Sequence, residues 1–495
     1  MRIHIVAVAG TGMGSLAGLL VELGHEVTGS DTAFYPPIGP ALREWGVECF
    51  EGFDAAHIDR ARPDLVVVGN VCRRDNPEVV AAQKRGYELL HIAGALGRFA
   101  LPQTSPLVVT GTHGKTTTSS LCAHLLDRAG LAPGFLIGGI PQSLGRGFRA
   151  AGPRKLATSG GPAHVTRRTP FVLEGDEYDT AFFEKTAKFL HYGAEVAILT
   201  SLEHDHIDIY PTFDSYRDAF VRFVENLPED GLLVACAADA EVVRVAERSR
   251  APVAWYALEG QDTHGHAPHW LAAPAQADAT GTSFDLYAGG VAAGRFACPL
   301  PGRHNVANAT AALAAVAQGY GVPLHNLGQP LAAFAGVKRR QELVGTPGGV
   351  AVYDDFAHHP TAVAETLRAL RGRHPQGQLI AVFEPRSATA CRRIHQEAYE
   401  SAFDPADRVI LAPVGRPELG ADEKLDTQAL AERLRQRGKQ ARAFDALEGI
   451  VGALVEVAQP GDTIAILSNG AFGGIHGKLV AALGSRAPSS PEKLK

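Results

Sequence analysis

The 495-residue sequence is poor in every feature that would tie it to a membrane, an oxidising compartment or a nucleic acid. Cysteine is scarce: Cys49, Cys72, Cys122, Cys236, Cys298 and Cys391 are scattered, with no C-x-x-C pair. Neither a disulfide framework nor a zinc site is implied, and a reducing cytoplasm is the simplest setting. No apolar run approaches the ~20 residues of a membrane span. The apolar start MRIHIVAVAG is short and ends in glycine, which fits a buried first strand and not a secretory leader. Charge of one sign is not in excess either. The 47 basic and 53 acidic residues leave a net charge of −6, which offers no basic surface to nucleic acid or anionic lipid. What remains is an ordinary globular composition, 45% hydrophobic and 20% charged, on a chain too long for one core. Two to four domains are expected.

Three α/β blocks are legible. The first, residues 1–102, opens with a strand at Ile3–Ala9, a glycine turn, a helix to Leu23, and strands at Glu26–Ser30 and Leu65–Gly69. The Pro-bearing stretch Leu101–Pro106 leads into a second block, residues 103–330, which contains a Gly/Pro/Arg-rich loop at Ala150–Pro170 and closes on the alanine-rich helix Asn305–Gln318. The third, residues 331–495, has strands at Val350–Tyr353, Leu379–Phe383, Arg408–Leu411 and Thr463–Leu467, with helices between them. Its tail, 486–495, reads as disordered. The fold class expected is α/β in three domains: Rossmann-like, P-loop-type and Rossmann-like again.

The sharpest signal is a strand, Leu107–Thr110, followed by the glycine loop Gly111–Lys115 and a helix from Thr116. Such a loop presents backbone N–H groups and a helix N-terminus to phosphate, with Lys115 as a point charge and Thr116 as a magnesium ligand. Val109 stands where the strict Walker pattern has its first glycine. Two apolar strands then end in polar clusters. Phe171–Leu173 runs into E-G-D-E-Y-D (Glu174–Asp179), four carboxylates suited to a hard cation, and Val196–Thr200 runs into S-L-E-H-D-H-I-D-I-Y (Ser201–Tyr210). P-G-R-H-N-V-A-N places Asn305 and Asn308 one helical turn apart, where amides can read a base edge; Asn305 also suits a helix N-cap. Gly10, Gly12 and Gly14, with Asp31 ending the second strand, form an imperfect dinucleotide fingerprint, open to NAD or to another nucleotide.

The variant loop T-G-T-H-G-K-T-T, Thr110–Thr117, resembles the ATP loop of the Mur ligases, which build or recycle the peptide of bacterial cell-wall precursors. The form with His113 resembles the branch that accepts UDP-N-acetylmuramate, and the likeness runs through all three blocks. It implies ATP contacts at Gly111, Thr112, His113, Gly114, Lys115, Thr116 and Thr117, an adenine site at His304, Asn305 and Asn308, and phosphate or closing-domain contacts from Arg340 in K-R-R-Q-E and Asp355 in D-D-F-A-H-H-P. It implies magnesium at Thr116, Glu174 and His206, and catalytic roles for Lys115, His206, Asp355 and His358, with His206 and His358 both candidates for the base. UDP-N-acetylmuramate is placed at Gly10, Gly12, Ser30, Asp31, Asn70 and His113. One departure is Phe220, which stands where several members carry a carbamylated lysine.

Segments Val27–Pro37, Asp176–Phe183, Lys188–Tyr192, Glu384–Ser387 and Ser468–His476 resemble members that attach L-Ala-γ-D-Glu-meso-diaminopimelate more than those that attach L-alanine. That likeness implies peptide contacts at Arg386, Ser468 and Asn469, with Arg392 and Arg393 nearby. An L-alanine-adding ligase is the alternative, and an ATP-binding kinase or sensor is the alternative of another class. No nucleic-acid or membrane partner is expected.

Overall fold

The computed structural model describes residues 1–35, 38–153, 168–278, 280–416 and 418–485. Most of the Ala150–Pro170 loop and the 486–495 tail therefore lie outside the described residues.

Three sheets follow one another along the chain. The first has five parallel strands in the order Glu48–Glu51, Glu26–Asp31, Arg2–Val6, Leu65–Val68, Glu88–Leu90, so chain direction switches at the first strand. That strand ends at Val6, short of the expected Ala9, because Ala7 turns to φ 65° and starts the glycine loop. Gly14 takes the close-packing role of the missing later glycine: a Cβ there would lie 2.7 Å from Ile38 Cγ2.

The second sheet has ten strands, with a central parallel set and antiparallel strands at both ends. Its strand Thr104–Thr110 carries the phosphate loop and is fully buried. Pro106 lies inside this strand, so the break between the first two blocks is shorter than expected. The helix Arg303–Tyr320 packs on the same sheet and on the phosphate-loop helix Lys115–Arg128. The third sheet, six strands, runs Glu342–Gly345, Ala351–Asp355, Thr463–Leu467, Leu379–Phe383, Arg408–Leu411, Gln440–Ala443, parallel apart from the first.

The blocks are in contact. Phe148 packs against Gly18 of the first helix so closely that a Cβ there would lie 2.2 Å from the ring, and Trp45 meets the same ring edge-on. The polar cluster after Val196–Leu199 meets the third block, through Glu203 and Thr361. Such strand ends, at the carboxyl edge of parallel sheets, are where α/β folds place ligands.

Candidate active site

The phosphate loop is clamped from the neighbouring strand end. Thr112 N donates to Ser201 O (2.8 Å), His113 N donates to Ser201 Oγ (3.0 Å), and Thr200 Oγ1 donates to His113 O (2.6 Å). Gly111 and Gly114 take φ of 124° and 81°, and a Cβ on Gly114 would lie 2.5 Å from Asn308 Oδ1. Loop shape thus depends on glycine at that contact.

Lys115 Nζ donates to Gly111 O (2.6 Å), Thr112 O (3.2 Å) and Glu177 Oε1 (3.0 Å). Burial disfavours its charge, but Glu177, Asp176 and Glu174 outweigh burial and raise its pKa. Glu177 is a hub that sequence reasoning passed over in favour of Glu174. It is fully buried, meets His206 Nε2 at 3.1 Å, and accepts from Tyr216 OH at 3.1 Å. Burial pushes its carboxyl up, yet Lys115 and His206 hold it well below the usual carboxylate range. The one signal available was position: Glu177 lies three residues past Glu174 in the same acidic run.

The residues that could hold magnesium fall into two groups. Thr116 Oγ1 donates to Glu174 Oε1 (2.7 Å) and also accepts from Arg340 Nη2 (3.0 Å). The second group is Glu177, Asp205 and His206. Glu177 Oε2, although 3.0 Å from the lysine nitrogen, accepts no hydrogen bond among the described residues. Two carboxylates and a histidine grouped beside the phosphate loop suit a hard cation, and Lys115, 3.0 Å from both Glu177 oxygens, neutralises part of their charge without one. Phe220 is fully buried against Phe189 and Tyr216, so its position contributes core packing and no ligand. Accordingly, Glu174→Ala and His206→Ala should each need more magnesium for half-maximal rate, while added bicarbonate leaves the wild type unchanged. Magnesium curves that coincide with wild type would count against both groups.

A cavity of about 400 Å³ adjoins the loop, between the second and third blocks. Tyr256, Leu258 and Leu300 give it apolar walls, and His304, Asn305, Asn308, Arg340 and Asp355 line it with polar groups. The helix starts at Arg303 with Gly302 as its N-cap, so Asn305 is not the cap. Instead Asn305 Nδ2 donates to Pro301 O (2.8 Å) and Asn308 Nδ2 donates to Asn305 Oδ1 (3.2 Å), which leaves each amide spare hydrogen-bonding capacity. Asp355 accepts from Gln341 N and Ala357 N (2.7 Å each), and burial raises its pKa against the pull of Arg340.

The third block reaches the same place through its strand end. His358 lies near Asp205, and its Nδ1 meets Phe356 O at 3.0 Å. Burial lowers the pKa of His358, against the charge of Asp205. His206 differs: burial lowers it, but its bond to Glu177 and the charges of Glu177 and Asp205 prevail, and its pKa is raised. A further bridge, also missed from sequence, joins the blocks at Glu203. His113 Nε2 (3.1 Å), Thr361 Oγ1 (2.7 Å) and His359 Nδ1 (3.3 Å) all meet its carboxylate.

In the first block the expected contacts divide. Gly10 caps the first helix with no side-chain cap bond, which leaves backbone N–H groups for an anion. Ser30 is fully buried and donates to Glu78, while Asp31 accepts from Ala9 N (2.8 Å) and braces the glycine loop from within. Asn70 stays partly exposed at its strand end.

In the third block Ser468 is likewise fully buried: it donates to Glu384 and accepts from Gly470 N (2.9 Å). Asn469 Oδ1 has no partner among the described residues. Arg386, 51% exposed, lies across bare backbone: a Cβ on Gly470 would come within 2.1 Å of its Cδ, and one on Gly415 within 3.1 Å of its Cγ. Arg386 Nη1 also lies 3.5 Å from Glu384 Oε1, and Arg392 and Arg393 are tied to Glu423 and Ala421.

A phosphate loop, a divided carboxylate–histidine cluster and a nucleotide-sized cavity closed by a third domain define an ATP-dependent ligase. Family models match in register with the three sheets: "Mur ligase family, catalytic domain" over residues 2–104, "Mur ligase middle domain" over 109–316, and "Mur ligase, glutamate ligase domain" over 339–470. The chain belongs to the Mur ligase family, whose members form amide bonds at the expense of ATP. It is 37% identical over 492 residues to the UDP-N-acetylmuramate–L-alanyl-γ-D-glutamyl-meso-2,6-diaminoheptandioate ligase of Escherichia coli, covering 99% of this chain and 100% of that one. It is 35% identical over 489 residues to a UDP-N-acetylmuramate–L-alanine ligase of Roseiflexus, covering 95% and 96%. Among solved structures, a murein peptide ligase from Psychrobacter arcticus matches with TM-score 0.71 and 33% identity, covering 98% of this chain and 99% of that one. No helix among the described residues is long and apolar enough to cross a membrane.

Proposed function

We propose that this enzyme joins L-Ala-γ-D-Glu-meso-diaminopimelate to the lactyl carboxylate of UDP-N-acetylmuramate in the cytoplasm, returning recovered peptide to the cell-wall precursor pool. The similarity of this chain to the tripeptide ligase of E. coli and to the murein peptide ligase of P. arcticus supports this reading over the L-alanine alternative. The observation that carries the choice is Arg386. A half-exposed guanidinium stretched over two glycines, with a single 3.5 Å contact, to Glu384, among the described residues, suits a ligand with a distal carboxylate, which L-alanine lacks.

In this reading the lactyl carboxylate attacks the γ-phosphorus of ATP, releasing ADP and leaving an acyl phosphate. The peptide amine then attacks the acyl carbon, loses a proton, and phosphate departs. Lys115 faces the charge that develops on the transferring phosphoryl group, and Arg340 approaches it from the third block. Thr116 and Glu174, and the Glu177 group, would hold magnesium, whose charge would offset that of the phosphates. The first block holds the UDP moiety at Gly10, Gly12 and Asn70, and His113 and the loop amides hold ATP. Closure of the third block, pinned at Glu203 by Thr361 and His359, keeps the acyl phosphate from water.

The test is product formation from UDP-N-acetylmuramate and ATP with either tripeptide or L-alanine; faster coupling of L-alanine would replace this reading with the alternative. Arg386→Ala should raise the KM for tripeptide by roughly tenfold to a hundredfold, as for loss of a charge-assisted pair of about 1.5–3 kcal/mol. The KM values for ATP and UDP-N-acetylmuramate should hardly move. Gly470→Ala should reproduce part of that effect without removing the charge, because its Cβ displaces the arginine from its platform.

A further inference from the structure

The segment Val337–Gln341 that joins the second and third blocks carries two adjacent arginines with different destinations. Arg340 turns back to the phosphate loop, where Nη2 donates to Thr116 Oγ1 (3.0 Å). Arg339 turns forward into the third block. Its Nη2 donates to Ser468 O (2.8 Å) and Gly470 O (2.7 Å), and its Nε to Asp354 Oδ2 (3.2 Å). Both guanidinium groups lie over the ring of Phe356, at 5.2 and 5.0 Å.

The backbone of this segment is as specific as its side chains. Arg339 and Gln341 both hold left-handed φ, 61° and 49°, which is unfavourable for residues with a Cβ and persists only where surroundings fix it. Those surroundings come from both blocks. Lys338 N donates to Ile140 O (3.0 Å) on the second, while Phe356 N donates to Arg339 O (2.9 Å) and Gln341 N to Asp355 on the third. Arg339 N also donates to Glu342 Oε2 (2.7 Å). The turn therefore fixes where each arginine points relative to the other. A shift of Arg340 on the phosphate loop cannot leave Arg339 in place unless this turn is remade.

The loop that Arg339 grips is the one over which Arg386 lies, since Gly470 touches both. We propose that Arg339 is a positioning residue that couples occupancy of the ATP phosphate site to the shape of the acceptor-peptide loop. The proposal rests on the reading that Ser468–Gly470 and Arg386 receive the peptide. When Arg340 engages the phosphates beside Thr116, the turn sets Arg339, and Arg339 sets the two carbonyls that shape the peptide platform. Peptide affinity then depends on nucleotide, and by linkage nucleotide affinity depends equally on peptide.

The experiment measures tripeptide Kd by calorimetry on the full chain with saturating UDP-N-acetylmuramate, with and without magnesium β,γ-imido-ATP. In the wild type the nucleotide analogue should tighten tripeptide binding at least about fivefold, the lower end of ordinary coupling between sites. In Arg339→Lys, which keeps the charge and the stem over Phe356 but not the forked donation to two carbonyls, the factor should fall below about twofold. The Kd for the analogue alone should stay within about twofold of wild type, because Arg340 is intact; a purely structural defect would move it too. Coupling retained in Arg339→Lys, or absent from the wild type, overturns the proposal. Arg386→Ala separates the two ideas. If it weakens tripeptide binding while Arg339→Lys keeps the coupling, only the coupling is lost. If it leaves tripeptide binding unchanged, the peptide lies elsewhere and the underlying reading fails with it.

Discussion

Lys115→Ala is expected to lower turnover at least ~100-fold, the scale for loss of one preorganised charge aimed at the transition state. The ammonium, on a side chain only 14% exposed, is anchored by two loop carbonyls and by Glu177, so it needs little reorganisation when a phosphoryl group arrives. Its loss has a second consequence. Glu177 would keep His206 and Tyr216 but lose its nearest fixed positive charge, and an incompletely paired buried carboxylate is costly. The variant should therefore melt earlier than wild type, and earlier still relative to wild type at high pH. The sign follows from Glu177: its folded pKa is depressed, so its pairing stabilises above the unfolded carboxylate value and is lost as pH falls through the folded one. Adding Glu177→Gln to Lys115→Ala should restore much of the stability and none of the turnover. Near-normal turnover in the folded single variant would remove this lysine from the mechanism.

The phosphate loop, the helix after it and the four inner strands of the third sheet were legible because they rest on local chemistry, whereas its edge strands Glu342–Gly345 and Gln440–Ala443 were not. Leu379–Phe383, Arg408–Leu411 and Thr463–Leu467 are short apolar runs that bury both faces, and nothing distant changes where they stop. Roles that depend on which way a side chain turns were less legible. Ser30, Asp31 and Ser468 stand at strand ends where a ligand contact is expected, yet Asp31 and Ser468 accept from backbone N–H groups and Ser30 donates to the Glu78 carboxylate. Glu177 and Glu203 lay inside motifs already singled out, but their partners arrive from sequence distances of 29 to 158 residues. Spacing cannot report such meetings. The neighbouring Phe220 is the converse case, a position where side-chain burial explains directly why no metal ligand comes from that helix.

The same geometry separates two histidines that sequence left level as candidates for the base. A base must be neutral when the amine arrives and must have a ring nitrogen free to accept. His206 meets the first condition less well: Glu177 and Asp205 favour its charged form over the cost of burial, which suits an electrostatic partner or, in the neutral form, a metal ligand. His358 meets both. Burial lowers its pKa, and a bond from Nδ1–H to Phe356 O sets the tautomer that leaves Nε2 open. Its backbone is held by Tyr399, whose hydroxyl donates to His358 O (2.5 Å). His358→Ala should slow amide formation by about 100-fold or more, the usual contribution of a positioned base. ADP formation with UDP-N-acetylmuramate should be much less affected, because acyl phosphate forms before the amine reacts. In the first turnover the variant should thus release ADP faster than it forms amide. The acid limb of the wild-type kcat profile should lie below the ~6.5 of an ordinary histidine, since the rate is lost only when the neutral ring is protonated. Should ADP and amide fall in step in His358→Ala, or should the acid limb persist there unchanged, the proton is taken by another group.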